Sequence, residues 1–222
     1  MEEVLLEIFD KLLKSYGPRK WWPARTRFEV IVGAILVQNV SWKNAKKAID
    51  NLKHHGLLSP EAIISVKEKT LATYIISSRF YNQKARKLKA FCKYLEKEYC
   101  GSISKMFAND TDDLRKELLS INGIGKETAD SILLYAGRKL SFVSDSYTKR
   151  FIERYNLLKG ELNYDIIRSF FTNNLPEDLY LYNEYHALIV HHCYSTCKSI
   201  PLCNECPVKS ISSKNMCAFG SK

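Results

Sequence analysis

Several side chains in this chain are set out so that they could bind an anion, hold a cation or ligate a metal. In LLSINGIGKETAD, residues 118–130, Gly123 and Gly125 flank one residue and Lys126 follows at once. Glycine permits the backbone angles and close approach that let N–H groups at a helix start face an anion, and Lys126 adds charge there. The anion this suits is a DNA phosphate, although such a turn also joins two helices with no ligand at all. Trp21, Trp22 and Trp42 offer indole faces, which attract a cation by about 0.5 to 2 kcal/mol, against the commoner fate of tryptophan as a packing residue. Asp145 precedes the helical stretch SYTKRFIERY, where aspartate is favoured as an N-cap. Of the seven cysteines, five fall between Cys193 and Cys217. An odd total clustered at one end suits metal ligation in a reducing compartment better than a disulfide framework. Cys197, Cys203 and Cys206 are spaced C-x5-C-x2-C, with Cys217 after ten more residues and Cys193 as a spare. Four thiolates can hold zinc or an iron–sulfur cluster, and spacing does not choose between them.

The elements that must carry these residues are helical. Val4, Leu5, Ile8 and Leu12 recur at helical spacing, and FEVIVGAILVQ from Phe28 to Gln38 is apolar on nearly every side, which predicts a buried central helix. Further helices are expected at 43–54, 60–67, 82–98, 112–120, 126–137, 146–155, 163–173 and 178–195, with no useful strand alternation, so the fold class is all-α. At 222 residues with 45% apolar content the chain can bury a real core in one unit or two intimate lobes. Thirty-four basic against twenty-four acidic residues give a formal charge of +10, which suits a polyanionic partner without requiring one. The N-terminus is amphipathic and acidic, unlike a secretion signal, and no apolar run is long enough for a membrane span, so the expected location is cytoplasmic, on the nucleoid in a prokaryote.

WWP at Trp21 to Pro23, the FE-x-x-x-GA-x-L-x-QN run, FYNQKA at Phe80 to Ala85 and GIGKE-x-AD-x-IL-x-YA recur in order, followed by Asp145 twenty residues beyond Gly125. From about Trp21 to Cys217 the chain resembles the endonuclease III superfamily of DNA glycosylases, and most closely its 3-methyladenine glycosylases. The resemblance implies two helical lobes, residues 22–134 and residues 1–21 with 135–222, with a helix-hairpin-helix, a substrate cleft between the lobes and a C-terminal iron–sulfur loop. It implies double-stranded DNA with a damaged base as the partner, a monomer without membrane association, and a downstream AP endonuclease.

Residue by residue, the resemblance makes Asp145 the catalytic carboxylate, a role that can coexist with helix capping. It places Trp22 and Trp42 on either side of the flipped base and leaves Trp21 mostly structural. Gln38 would enter the base stack, or else cap the central helix. Gly123, Gly125 and Lys126 would bind DNA. Bifunctional relatives carry a lysine where this chain has Glu127, and Lys126, one residue earlier, is turned by about 100°. Glu127 is then either a base-binding residue or an acid favoured in a helix's first turn. The implied activity is monofunctional, with water as nucleophile, on alkylated purines and 3-methyladenine foremost. A uracil, thymine-mismatch or oxidised-pyrimidine glycosylase, and a non-catalytic helix-hairpin-helix protein with a zinc clip, are the alternatives. Cys197, Cys203, Cys206 and Cys217 would hold a 4Fe-4S cluster despite outer spacings that depart from C-x6-C-x2-C-x5-C, in a basic loop with Lys198, Lys209 and Lys214. His191 and His192 read as ordinary helix residues.

Overall fold

The computed structural model describes residues 1–211 and Cys217, so Lys214 lies outside the described residues. Among these the chain is helical and has no strand. It divides into two compact units, Trp22–Lys139 and Met1–Trp21 with Leu140–Lys222. No described helix is long and apolar enough to cross a membrane.

The chain begins with α1 (Glu2–Tyr16), and the unit Trp22–Lys139 is then built around α2 (Arg27–Leu36). Every residue of α2 from Phe28 to Leu36 is buried, Glu29 included. Its start is fixed by Thr26, whose hydroxyl accepts from the Glu29 N–H at 3.1 Å, while the Glu29 carboxylate accepts from the Arg25 N–H at 3.0 Å. This reciprocal capping, with Lys53 ion-paired to Glu29 at 2.5 Å, satisfies polar groups that burial would otherwise strand. Around α2 come α3 (Trp42–His54), α4 (Pro60–Ser65), α5 (Glu68–Tyr74), α6 (Tyr81–Tyr99), α7 (Ile103–Ala108), α8 (Thr111–Ser120) and α9 (Lys126–Ser131). α2 packs on α3, α6 and the stretch after α9, and α6 packs on α4 and α5.

Two features of this unit depart from the periodicity. The expected helix 60–67 stops at Ser65, because Val66 is extended, and a separate α5 follows. The expected helix 126–137 runs as α only to Ser131, and Ile132–Ala136 then forms a π-helical stretch in which the Gly137 N–H donates to the Ile132 carbonyl at 2.9 Å. Such widened turns recur at functional sites. Before α6, Arg79 and Phe80 both take positive φ, 54° and 42°, and present Phe80 to solvent at 59% exposure.

In the other unit, α10 (Ser146–Arg154), α11 (Tyr164–Asn174) and α12 (Leu179–Ser195) join α1. α12 packs on α10 and α1. Phe142 stacks on Phe171 at 4.0 Å, and the buried Tyr185 hydroxyl donates to the Leu5 carbonyl at 2.9 Å, tying α12 to α1. Asp145, Asn163 and Asp178 each cap the helix they precede.

Candidate functional site

The hairpin between α8 and α9 occupies residues 121–125. Its turn closes with the Ile124 N–H donating to the Ile121 carbonyl at 3.0 Å, and Gly123 has φ +87°. That angle requires glycine. Gly125 has φ −89°, so its freedom is not conformational; it serves as the N-cap of α9, and a Cβ there would meet nothing within 4 Å. Lys126 and Glu127 are both exposed in the first turn. Across the hairpin, the Arg115 guanidinium pairs with Asp130 through Nε–Oδ1 at 2.8 Å and Nη2–Oδ2 at 2.9 Å. Asp130 is fully buried, so this bidentate pair clamps α8 to α9.

Gln38 follows the end of α2 and is held on the hairpin. Its Nε2 donates to the Gly123 carbonyl at 3.2 Å and to Thr128 Oγ1 at 2.8 Å, and its Oε1 accepts from Lys87 Nζ at 2.5 Å. It does not cap α2 with its side chain. Capping is done by Lys84, whose buried Nζ donates to the carbonyls of Leu36 at 2.8 Å and Ser78 at 2.5 Å. Burial, with the nearby charge of Lys87, pushes the Lys84 ammonium down to about 8. Lys84 is thereby a structural polar residue, and Lys87 is a neighbour of the site that its lysine-rich helix did not single out.

Trp22 meets Trp42 edge to face, with centroids 5.4 Å apart and planes at 90°, and meets Tyr135 at 5.4 Å and 61°. Gly33 makes room for this cluster, since a Cβ there would fall 2.9 Å from Trp22 Nε1. Trp22 of the WWP motif and Gly33 of the central helix thus pack together. Perpendicular indoles do not form the two parallel walls expected of a sandwich. They present faces in different directions, with Tyr135 of the π-helical stretch, the tyrosine of the GIGKE-x-AD-x-IL-x-YA run, as a third ring to which the motif gave no role.

Asp145 belongs to the unit that contains α10. Its Oδ1 accepts from the Thr148 N–H at 2.8 Å and the Thr148 hydroxyl at 3.0 Å, and its Oδ2 lies 3.6 Å from His186 Nε2. The side chain is 13% exposed. Burial alone would raise this carboxyl, but His186 and the two Thr148 donors outweigh it and hold the group below its ordinary value. Asp145 is therefore both an N-cap and a carboxylate kept ionised. His186, on the same helix as the His191–His192 pair, carries no motif to mark it. Arg150 Nη2 donates to the Cys193 carbonyl at 2.9 Å and fastens α10 to α12.

Cys197, Cys203, Cys206 and Cys217 line one small cavity together with Arg154 and Tyr155. Among the described residues no three His, Cys, Asp or Glu side chains are grouped as a single metal ion requires. Arg154 donates to the Cys197 sulfur at 3.2 Å and to the carbonyls of Cys197, Lys198 and Ser199. The Tyr155 hydroxyl contacts Cys206 Sγ at 3.0 Å and His192 Nε2 at 3.1 Å, and His192 Nδ1 meets the Tyr16 hydroxyl at 2.8 Å. His192 is thus part of the surroundings of the cysteines. Its bonds to Cys197, Cys206 and Tyr16 raise it to about 10 although burial alone would lower it. The hydrogen bond from Cys193 lowers the Cys197 thiol, while Cys193 itself is pushed up. Cys193 is buried against the Tyr147 carbonyl and does not line the cavity.

The model of the HhH-GPD superfamily base excision DNA repair proteins matches residues 32–177. A Methanocaldococcus jannaschii protein, named only provisionally as a DNA repair glycosylase, is 50% identical over 94% of this chain and 96% of its own length. Endonuclease III of Sulfolobus acidocaldarius is 32% identical over 83% of this chain and 81% of its own. In structure, the H. pylori 3-methyladenine DNA glycosylase bound to 1,N6-ethenoadenine superposes with a TM-score of 0.76 at 29% identity, over 87% of this chain and 96% of that one. An endonuclease III–DNA complex superposes with a TM-score of 0.83 at 20% identity over all of this chain and 97% of that one. The chain belongs to the HhH-GPD superfamily of base excision DNA repair proteins. Within it, the protein is a DNA glycosylase of the endonuclease III family.

Proposed function

We propose that the protein is a monofunctional DNA N-glycosylase that flips alkylated purines, 3-methyladenine foremost, out of duplex DNA and hydrolyses their glycosidic bond. The observation that carries this reading is the cluster of Trp22, Trp42 and Tyr135, three electron-rich rings gathered at the base-binding motifs. A methylated purine of this kind is cationic, and ring faces favour a cation without hydrogen-bond readout. The 29% identity to a 3-methyladenine glycosylase supports the same substrate class.

In the reaction, the bond between C1′ and the base nitrogen breaks, and the base leaves with the electron pair. As the positive charge passes from the base to the sugar, the ionised Asp145 carboxylate stabilises it there more than it stabilises the ground state, in which the sugar is uncharged. Water adds to C1′ and gives up its proton to solvent, leaving an abasic site for a downstream AP endonuclease. Glu127 stands where a Schiff-base lysine would be needed, so the strand stays intact. Gly123, Gly125 and Lys126 hold the backbone, Gln38 fills the vacated stack, and Glu127 borders the base.

The four cysteines around the cavity fit a 4Fe-4S cluster. Four thiols line one cavity, and Arg154 donates to the Cys197 sulfur while the Tyr155 hydroxyl contacts that of Cys206, surroundings of the kind that support thiolate ligands. When bound, the cluster cross-links the C-terminal loop. The protein acts as a monomer in the cytoplasm.

Excision from duplexes carrying 3-methyladenine, 7-methylguanine, uracil, a thymine mismatch or an oxidised pyrimidine tests the reading. Fastest release of 3-methyladenine, with no borohydride-trapped adduct, is expected. Preference for any of the last three, or efficient trapping, overturns it.

A further inference from the structure

Both N–H donors of the Gln38 amide are spent on the Gly123 carbonyl and Thr128, and its oxygen holds the Lys87 ammonium. In this state Gln38 has no donor left for a base. Lys87 is fixed as tightly as its partner. Its aliphatic stem lies across Gly123 so closely that a Cβ on that glycine would sit 2.3 Å from Lys87 Cγ. The stem thus carries a half-buried ammonium over the face of the hairpin. Lys84, one turn earlier on α6, puts a second ammonium near it, with its own protons directed to two carbonyls. If Gln38 moves away, Lys87 loses the oxygen it holds, and a half-buried cation beside another cation demands an anion in its place.

We propose that Lys87 is a latch on Gln38: it holds the glutamine against the hairpin in the free protein, and on duplex DNA it exchanges the glutamine oxygen for a backbone phosphate. This rests on Gln38 being the residue that enters the base stack. The exchange replaces an ion–dipole bond with an ion pair, so release of the glutamine is coupled to seating of the phosphate. Insertion is thereby favoured only where the DNA backbone is already docked on the hairpin. Lys87 is in this scheme a positioning residue that acts through Gln38.

Lys87→Met keeps the stem over Gly123 and removes the charge, and Lys87→Gln serves as a second neutral variant should methionine disturb packing. Two readouts decide. The side-chain amide resonance of Gln38 in the free protein, assigned by its loss in Gln38→Ala, is expected to shift and exchange faster in the neutral variants. The slope of log K against log salt for undamaged duplex is expected to shrink by about 0.9, the loss of one phosphate contact. An unchanged Gln38 amide or an unchanged slope overturns the latch. Wild-type excision from duplex by Gln38→Ala overturns the reading of Gln38 instead, and the two failures are told apart because that rate does not depend on Lys87.

Discussion

Asp145 has two duties assigned to separate oxygens. Oδ1 caps α10 through Thr148, and Oδ2 faces His186. Asparagine can retain the first duty and lose the second. Asp145→Asn is expected to slow single-turnover base release by about a hundredfold or more, as for other lost electrostatic stabilisers. Folding stability should change little, whereas Asp145→Ala also forfeits the cap, at about 1 kcal/mol. Near-normal release by the asparagine variant would remove Asp145 from the chemistry. Lys84 allows a pH test of a different kind. Its ammonium is depressed to about 8 in the folded chain and sits at 10.5 otherwise, so between these values the unfolded chain binds more protons. Stability attributable to Lys84 should therefore rise from pH 8 toward 10.5, by roughly 1 to 3 kcal/mol relative to Lys84→Met. A flat difference between the two unfolding curves would contradict the shift. The hairpin, Gln38 and Asp145 stand out in the sequence because each sits in a dense local motif. Their partners could not: Lys87 is one of several lysines on α6, and His186 lies 41 positions from Asp145, so only the fold brings either into place.

Among the helices, α5 and α7 have seven and six residues, too few turns for an apolar period to register against noise, whereas the equally short α4 is marked by Ser59 and Pro60 at its start and falls within the expected helix 60–67. The central helix was readable for the opposite reason, since burial on all sides leaves an unbroken apolar run. What that run hides is the purpose of its glycine. Gly33→Ala should improve the intrinsic propensity of α2 by about 1 kcal/mol, yet it drives a methyl into Trp22. The expected outcome is a folded protein with shifted tryptophan fluorescence and a raised KM for 3-methyladenine excision. Unaltered fluorescence and kinetics would show that the indole position does not matter. In the hairpin, Arg115→Met leaves the buried Asp130 carboxylate without its bidentate partner, and about 3 to 5 kcal/mol of stability should be lost in denaturant unfolding.

For the protein as a whole, the two units take their residues from different stretches, with the N-terminal twenty-one returning to the company of residues beyond Lys139. Neither composition nor periodicity contains that information, because both are local and the pairing of α1 with α12 spans more than 160 positions. The cysteine spacing likewise offers five candidates for four proposed ligands, and of these Cys193 is the one that does not line the cavity. Protein purified without oxygen should hold about four irons per chain. Cys193→Ser should keep them and Cys203→Ser should not. Stoichiometric zinc without iron, or iron lost equally from both variants, would contradict the assignment.

The π-helical stretch Ile132–Ala136 makes the length of this helix a coded quantity. Thr128 and Tyr135 are seven positions apart, which in an uninterrupted α-helix would stack them on nearly one line. The widened turn retards the helical phase between them, so one end of the same helix meets Gln38 while the other meets Trp22. Deleting a single residue there would restore ordinary winding at little cost to helix formation and swing Tyr135 out of the aromatic cluster. This segment should therefore tolerate exchanges of apolar side chains far more readily than a change of one in its residue count.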